Sequence, residues 1–350
     1  MKVFKYLLII LSAVVLLGLL LMQNHTVQNK LFERTAKQLL TAEEIFMEDA
    51  LSVAVCGSRS PLPGPNRAET CLLIQAGPSK FIIDVGRGSG DNLQKWQVDY
   101  SDLEAVILSH LHSDHISDLA EIQFQTWLGG RKAPLSVLGP KGTESTVQGF
   151  AQAFKLDSIY RSEHHGAILP IEAYGYDVVE FDGDTNLIFQ NEDTKITAFK
   201  VDHYPVDPSY GFKIEYKDRS IVISGDTIAL EEMVEYSEGV DVLFHEALAK
   251  PLIQRMEKIS DEIGNDVISK VLFDIQDYHA TTIEVAEIAK RSEVGLLVFY
   301  HLIPAPRNYV SEQMFLRGVD DIFKNYHVSD DGSLVSLPSG SDEIILSSID

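Results

Sequence analysis

The sequence predicts an α/β protein in which two β-sheets are covered by helices, preceded by a separate apolar N-terminal helix. Short apolar segments typical of buried strands alternate with amphipathic helical segments along most of the chain, an order that favours a layered α/β sandwich. Several of these strands are followed directly by histidine or aspartate, as in sites built at strand ends. An uncharged run from Tyr6 to Met22 stands apart from this pattern.

Composition and charge limit the classes of function. The chain has 350 residues, of which 45% are hydrophobic and 23% charged, so it is neither disordered nor fibrous. Acidic residues number 52 against 29 basic residues, which gives a formal charge of -23. This negative field repels polyanions and argues against broad nucleic-acid binding. A small anionic substrate held by metal ions remains compatible with it.

Residues 1–23 predict a signal anchor or a signal peptide. Lys2 and Lys5 precede the apolar run, which is close to the minimum length for a membrane-spanning helix. No small-x-small cleavage site follows, which favours an uncleaved membrane anchor over a cleaved signal. With both lysines inside, the rest of the chain lies outside the cytoplasm. We therefore expect an exported protein, either anchored and facing the periplasm or extracellular side, or cleaved and periplasmic.

Residues 24–48 predict an amphipathic, partly helical linker, because apolar and basic residues alternate there. This linker either lies on the membrane surface or packs on the domain that follows. The α/β domain itself covers residues 49–350. Near its start, Cys56 and Cys71 flank a turn between two expected strands. In an exported protein they form either a disulfide or two buried free thiols.

The strands of the domain are predicted from short runs rich in Val, Ile and Leu that are bounded by Gly and Pro. They cover residues 51–55, 71–74, 81–84, 105–109, 135–140, 187–189, 196–201, 212–216, 220–224, 240–244 and 295–300. Helical patterns cover residues 143–154, 251–274 and 282–291.

A histidine cluster after the strand 105–109 predicts a metal site. His110-Leu-His112-Ser-Asp114-His115 places three imidazoles and a carboxylate within six residues. His110 and His112 are two residues apart, so in an extended turn they can bind one ion. Asp114 and His115 can then bind a second ion close by. Neutral imidazoles and carboxylates suit Zn²⁺, with iron or manganese as alternatives.

Three further strand ends complete the expected ligand set. His203, Asp226 and His301 each follow an apolar strand. Their order after the first cluster assigns His203 to the first metal ion, with His110 and His112, and His301 to the second. Asp226 would bridge both ions. Such a bridged pair activates water at neutral pH and stabilises both the attacking and the leaving oxygen.

This ordered set, His110-x-His112-x-Asp114-His115 followed by His203, Asp226 and His301, resembles the metallo-β-lactamase fold superfamily over residues 50–325. The resemblance implies a four-layer αββα sandwich with a dinuclear metal site between its two sheets. Asp84 matches an aspartate that in this family supports the metal loop from beneath. We therefore expect it to hold the ligands in place without binding metal.

Within the superfamily the sequence is most similar to ribonuclease Z-like proteins. The matching segments are Cys56-Gly-Ser-Arg-Ser-Pro-Leu-Pro, Asp84-Val-Gly-Arg-Gly, Ser224-Gly-Asp226-Thr, Phe244-His245-Glu246-Ala247 and His279-Ala-Thr-Thr. The resemblance implies that Asp114, Glu246 and His279 serve catalysis. We assign His279 as the general acid for the leaving oxygen, supported by Glu246. The alternative is that His245 and Glu246 are buried structural groups.

Two departures from ribonuclease Z bear on the substrate. The interval between His203 and Asp226 has room only for a hairpin, where ribonuclease Z carries a long flexible arm that grips tRNA. Together with the negative charge and the expected export, this argues against pre-tRNA. The segment between Glu246 and His279 forms either a lid over the site or an ordinary pair of surface helices.

The sequence therefore predicts a dinuclear zinc hydrolase with phosphodiesterase-type chemistry on a small anionic ester. An arylsulfatase-like enzyme is the nearest alternative, and a non-catalytic metal-binding protein is the alternative of another class. The expected partners are the ester substrate and a membrane reached through the N-terminal helix, with no nucleic acid. The resemblance also leaves a homodimer open, because the family often forms dimers.

Overall fold

The structure is a computed structural model that describes residues 2–41, 44–64, 66–100 and 103–349. The chain divides into two compact units, Met1–Glu43 and Glu44–Asp350. The first unit holds the helices α1 (Lys2–Met22) and α2 (His25–Leu39). Its segment Phe4–Met22 is long and apolar enough to cross a membrane, with a mean hydropathy of 2.6. A signal sequence near the N-terminus has the same properties.

The second unit, hereafter the α/β unit, contains two β-sheets among its described residues. The first sheet consists of β1 (Ala50–Gly57), β2 (Cys71–Ala76), β3 (Ser79–Ile83), β4 (Leu103–Ile107), β5 (Leu135–Pro140), β6 (Tyr176–Phe181), β14 (Ser333–Pro338) and β15 (Ile345–Ser348). The second consists of β7 (Thr185–Gln190), β8 (Thr194–His203), β9 (Val206–Tyr216), β10 (Arg219–Ile223), β11 (Val242–Leu248), β12 (Leu296–Ile303) and β13 (Tyr326–Val328). The strand orders are β15-β14-β1-β2-β3-β4-β5-β6 and β13-β12-β11-β10-β9-β8-β7.

Helices connect the strands and cover the outer faces of the sheets. They are α3 (Ser89–Lys95), α4 (Ser113–Ile116), α5 (Leu119–Leu128), α6 (Thr143–Ala153), α7 (Lys155–His165), α8 (Glu231–Ser237), α9 (Lys250–Glu262), α10 (Asp266–Asp274), α11 (Thr282–Arg291) and α12 (Tyr309–Phe315). Two short 3-10 turns, Gly166–Ile168 and Ile171–Ala173, follow α7.

The hydrophobic core lies in three layers, which confirms the predicted sandwich of two sheets between helices. Side chains of both sheets meet in the central layer, where Phe81 of β3, Phe212 of β9 and Phe244 of β11 are fully buried. A second layer lies between the second sheet and α8, α11 and α12. A third lies between the first sheet and α3 and α5. Because these clusters are built from residues of the α/β unit, that unit has a core of its own.

Several elements of the structure differ from the elements predicted from the sequence. The strands β6, β13, β14 and β15 were not predicted, and β14 pairs with β1 across the length of the chain. The predicted helix over 251–274 is in fact two helices, because Gly264 adopts a φ of +74° that ends the first one. Residue Phe46, in the predicted linker, is buried against the first sheet. Cys56 and Cys71 form a disulfide, one of the two expected arrangements.

Candidate metal centre

Asp84 organises the loop that carries the histidine cluster. One of its carboxylate oxygens accepts a hydrogen bond from the Ser109 backbone N–H at 2.8 Å, and the other accepts one from the Ser109 hydroxyl at 2.7 Å. The second oxygen also lies 2.8 Å from Nδ1 of His115. Asp84 follows β3 with a φ of +58°, which turns its side chain beneath the loop after β4. This position agrees with the supporting role that the resemblance implies.

These hydrogen bonds orient two imidazoles toward the site. A carboxylate only accepts, so the His115 ring carries its proton on Nδ1, beside Asp84, and its Nε2 is free to bind metal. The Ser109 hydroxyl gives its proton to Asp84 and therefore accepts from Nδ1 of His110 at 3.1 Å. The Nε2 atom of His110 thus presents a lone pair to the interior. The loop residues set the tautomers that metal binding requires.

The first donor group joins His110 and His112 with two residues from distant strands. Nδ1 of His112 lies 3.0 Å from Nε2 of His110 and 3.4 Å from Nε2 of His203. His203 ends β8, and its Nδ1 lies 2.9 Å from the carbonyl oxygen of Tyr278. Because that carbonyl accepts the ring proton, Nε2 of His203 also faces the site unprotonated. The ligand atoms of these three residues and Asp226 lie within 4.8 Å of one another.

The second donor group consists of Asp114, His115 and His301. Nε2 of His301 lies 3.2 Å from Oδ2 of Asp114, and Nε2 of His115 lies 3.5 Å from the same oxygen. His301 occupies β12 with a φ of +43°, a conformation that non-glycine residues rarely adopt. Such backbone strain is typical of functional positions.

Asp226 lies between the two donor groups. Its Oδ2 is 3.3 Å from Nε2 of both His115 and His301, and 3.9 Å from Nε2 of both His110 and His203. The preceding Gly225 has a φ of +61°, and a Cβ there would lie 2.2 Å from the carbonyl oxygen of Tyr210. A glycine is therefore required for the turn that brings Asp226 to the centre.

The electrostatics of the site fit divalent cations. Burial lowers the pKa of His110 well below its usual range and also lowers the pKa of His203, so both imidazoles are neutral donors. Burial opposes charge on His115 as well, yet the carboxylates of Asp226, Asp84 and Asp114 raise the pKa of His115 well above its usual range. Buried carboxylates are stabilised by positive charge beside them, and metal ions would supply that charge.

Two buried atoms that lack a hydrogen-bond partner among the described residues also fit a metal site. Oδ1 of Asp226 and Nε2 of His115 are buried and have no hydrogen-bond partner among the described residues. Leaving such groups unpaired is costly, and both are good ligands for Zn²⁺, iron or manganese. The residues present therefore fit two divalent ions, one in each donor group, with Asp226 between them.

Glu246 and His279 form a pair beside these donors. Nδ1 of His279 lies 2.8 Å from Oε1 of Glu246, which also accepts from the backbone N–H groups of Ala280 and Thr227 at 3.2 and 3.3 Å. His279 lies beside the second donor group, because one of its ring nitrogens is within 4.8 Å of ligand atoms of Asp226 and His301. The neighbouring His245 is buried, with its Nδ1 2.7 Å from the carbonyl oxygen of Glu246.

Two cavities open onto the donors. One of about 140 Å³ is lined by His279 together with members of both donor groups, and also by residues of α10. The other, of about 380 Å³, adjoins His112, His203 and Tyr278. The segment between Glu246 and His279 thus lies beside the site as the helix pair α9 and α10. The sequence did not reveal Tyr278 and Ser109 as supporting groups, since their contacts run through a backbone carbonyl and a hydroxyl.

Comparisons with known proteins agree with this geometry. The family model described as anti-Pycsar protein Apyc1 matches residues 66–256. Ribonuclease Z of Mycobacterium bovis (strain BCG / Pasteur 1173P2) is 33% identical over 261 residues, covering 73% of this chain and 87% of the relative. Ribonuclease Z of Mycobacterium marinum is 34% identical with the same coverage. The chain belongs to the Apyc1 family, among ribonuclease Z-like proteins of the metallo-β-lactamase fold.

Solved structures show the same fold for this Apyc1-family chain. The metallo-β-lactamase fold protein YhfI from Bacillus subtilis has a TM-score of 0.60 at 21% identity, covering 82% of this chain and 100% of its own. The short form of human tRNase Z has a TM-score of 0.59 at 20% identity, covering 82% and 99%. At these identities the likeness concerns the fold alone. The expectation of a ribonuclease Z-like metallo-β-lactamase fold is confirmed.

Proposed function

We propose that this chain is a dinuclear metal-dependent hydrolase that cleaves a phosphodiester in a small substrate. The observation that carries the proposal is the position of the His279–Glu246 pair beside two adjacent groups of metal donors. Metal donors alone would suit a storage or binding protein. An oriented imidazole at the same cavity supplies the proton that a leaving alkoxide requires. The kinship with ribonuclease Z supports hydrolysis at phosphorus.

In this proposal His110, His112 and His203 hold one ion, and Asp114, His115 and His301 hold the other, with Asp226 shared. Zn²⁺ suits this donor set best, with iron or manganese as alternatives. When bound, two divalent ions supply Lewis-acid charge to the phosphoryl oxygens and lower the pKa of a water molecule.

The chain's own residues complete the reaction. Glu246 holds Nδ1 of His279, so the opposite nitrogen of the ring is free to reach into the cavity. We assign this nitrogen to protonate the leaving oxygen as the ester bond breaks. Asp114 acts as a ligand beside His301, whose Nε2 lies 3.2 Å from its Oδ2. Asp84 fixes the tautomer of His115 and thereby the donor that His115 presents.

A small substrate is favoured over pre-tRNA for a structural reason. Two residues separate β8 from β9 and two separate β9 from β10, so no arm extends between His203 and Asp226. The formal charge of -23 also disfavours a polyanionic RNA. A sulfate ester presents similar geometry to the metal site, so sulfatase chemistry is the second candidate.

We also propose that the protein works outside the cytoplasm. The apolar segment Phe4–Met22 serves as an anchor or a signal. The Cys56–Cys71 disulfide supports this, because disulfides persist in oxidising compartments and are rare in the cytosol of mesophiles.

The test is an assay of the α/β unit, residues 44–350, on bis-p-nitrophenyl phosphate, p-nitrophenyl sulfate and a pre-tRNA. Wild type is compared with Asp226→Ala and His279→Ala, and metal content is measured on every sample. His164→Ala, which removes an exposed histidine of α7, is the matched control. We expect wild type and the control to cleave the phosphodiester, Asp226→Ala to lose this activity strongly, and none of the proteins to cleave pre-tRNA. His279→Ala should lose less with this ester than with an alkyl ester, because nitrophenolate leaves without a proton.

Other outcomes reject parts of the proposal. Cleavage of the sulfate ester alone would assign the protein to the sulfatase alternative. Specific cleavage of pre-tRNA would show that the missing arm does not exclude this substrate. Two bound metal ions without turnover of any ester would favour a non-catalytic metal-binding protein.

A further inference from the structure

The 140 Å³ cavity at the metal centre has two chemically different walls. One wall carries the metal donors, including His112, Asp114 and His301. Another part of its lining, here called the aliphatic wall, is formed by the side chains of Leu62, Val271, Ile275 and Ile303. Among the described residues, those that line this cavity include no lysine or arginine. A phosphodiester would therefore place its charged group at the donors and an apolar substituent against the aliphatic wall.

This aliphatic wall continues to the surface along one face of α10. Val267 and Val271 of α10 are four residues apart, and Ile275, four residues further on, caps the C-terminal end of α10, so the three lie above one another along the helix. The exposed fraction is 73% for Val267, at the N-terminal end of α10, 41% for Val271, and 7% for Ile275. The resulting apolar stripe is about 12 Å long at the usual helical rise. It leads from solvent directly to the metal donors.

The stripe is part of a larger apolar surface on the hairpin of α9 and α10. Ile259 and Ile263, at the end of α9 and in the turn, are 55% and 72% exposed. Ile268 of α10, next to Val267, is 40% exposed. Large aliphatic side chains clustered in this way mark an interaction surface, whereas single exposed ones need no explanation. We define these three residues together with Val267 and Val271 as the hairpin face.

A lipid surface fits the hairpin face better than another partner. The same chain carries the segment Phe4–Met22, which is long and apolar enough to enter a membrane. Between that segment and the α/β unit lies α2, whose 15 residues span about 22 Å as a helix. Because one chain carries both, a bilayer entered by Phe4–Met22 is a partner that the chain itself supplies for the hairpin face. An apolar helical surface is suited to insertion at the lipid interface.

We propose that the hairpin face docks on a lipid surface and that the substrate is a phosphodiester carrying an apolar chain, which reaches the metal donors along Val267, Val271 and Ile275. This deepens the proposed function and rests on it for the chemical step. In that step a water oxygen bonds to phosphorus, one P–O ester bond breaks, and the leaving alkoxide takes a proton to become an alcohol. No other reactant is needed.

The test measures binding of residues 44–350 to sedimenting phosphatidylcholine vesicles. Zwitterionic lipid is used because the chain is strongly acidic. Wild type is compared with the double variant Ile259→Ser/Ile263→Ser, hereafter the hairpin variant, which changes two exposed residues of the hairpin face that lie outside the stripe and do not line the cavity. The control, Leu156→Ser/Ile168→Ser, changes residues that are 61% and 75% exposed at α7 and the turn after it.

We expect wild type and the control to bind the vesicles equally and the hairpin variant to bind at least about tenfold more weakly. All three should hydrolyse soluble bis-p-nitrophenyl phosphate at the same rate. Wild type should also release alcohol from phosphodiester lipids in the vesicles faster than the hairpin variant does. Because binding is measured without turnover, a failure of the proposed hydrolase function would be seen separately, as vesicle binding without cleavage of the soluble ester.

Three results would overturn the proposal. Wild type that does not bind vesicles, or a hairpin variant that binds as wild type does, would reject the docking surface. Light scattering that shows a wild-type dimer, dissociated by the hairpin variant with no change in vesicle binding, would assign the face to a second copy of the chain. Vesicle binding and soluble-ester cleavage without attack on any vesicle phosphodiester would reject the lipid substrate.

Discussion

Nδ1 of His279 lies 2.8 Å from Oε1 of Glu246, although the two residues are 33 positions apart in the chain. The backbone holds this contact in place from both sides. The Ala280 N–H donates to the carbonyl oxygen of Thr227 at 2.9 Å, and the Leu248 N–H donates to the carbonyl oxygen of Ala280 at 2.8 Å. These two hydrogen bonds of Ala280 fix the backbone next to the His279 imidazole to the segment after β10 and to the end of β11. An acid fixed in this way needs little reorganisation to meet a leaving group.

The first prediction concerns the role of His279 as a general acid. His279→Ala should lower kcat by about 10²- to 10⁴-fold for a phosphodiester with an alkyl leaving group, because an alkoxide needs a proton. The loss should be much smaller for bis-p-nitrophenyl phosphate, whose nitrophenolate leaves without one. Rates across a series of leaving groups check this, with metal content measured in parallel. An equal loss for all leaving groups would contradict the assignment.

Replacing Asp84 should weaken metal binding without removing a donor. Asp84→Asn cannot accept all the hydrogen bonds from Ser109 and His115, so the His115 ring loses its fixed tautomer. We expect metal affinity to fall by about 10- to 100-fold. Competition with a chromophoric chelator measures the change. Asp218→Asn, an exposed aspartate whose carboxylate accepts from the Gly340 N–H, should keep wild-type affinity.

Removing the metal ions should destabilise the α/β unit. At free metal a thousandfold above Kd, each ion contributes about 4 kcal/mol to the free energy of unfolding. Its loss also leaves the carboxylates of Asp114 and Asp226 buried without their counter-charge. Urea unfolding with and without a chelator measures the difference. Asp226→Ala should unfold earlier than wild type and respond less to the chelator, and an equal response would argue against a shared ligand.

The disulfide should stabilise the fold without serving catalysis. Cys56 and Cys71 are 15 residues apart, and closing a loop of that size in the unfolded chain corresponds to about 3 kcal/mol. Cys56→Ser/Cys71→Ser should lower the free energy of unfolding by that amount and leave turnover of the soluble ester unchanged. Reductant should shift wild type toward the variant, and a wild type insensitive to reductant would contradict this expectation.

The part of the site whose residues are close together in the chain could be predicted from the sequence. The spacing of His110, His112, Asp114 and His115 places them in one turn after a buried strand, whatever the rest of the fold does. The strand ends at His203, Asp226 and His301 could be found because apolar runs precede them. Their convergence could only be inferred from the family resemblance, since nothing in one sequence fixes the distance between separate strands.

Other elements could not be predicted because their stability comes from distant partners. The segment Ser333–Pro338 has serines at its first and fourth positions and ends in proline, which suggests no buried strand, yet pairing with β1 buries most of it. The helical pattern over 251–274 contains no proline after its first residue, Pro251, and only the positive φ of Gly264 shows where the hairpin turns.

The sequence by itself determined which side chains are available for chemistry: a cluster of imidazoles and a carboxylate within six residues, His110 to His115, and an apolar N-terminal segment. These follow from residue type and short spacing, which do not depend on long-range packing. The tertiary structure alone decided which backbone groups orient the donors, such as the carbonyl of Tyr278 behind His203. It also decided that the apolar face of α10 leads into the cavity. Both depend on contacts between segments far apart in the chain, whose geometry is set by the packing of the two sheets.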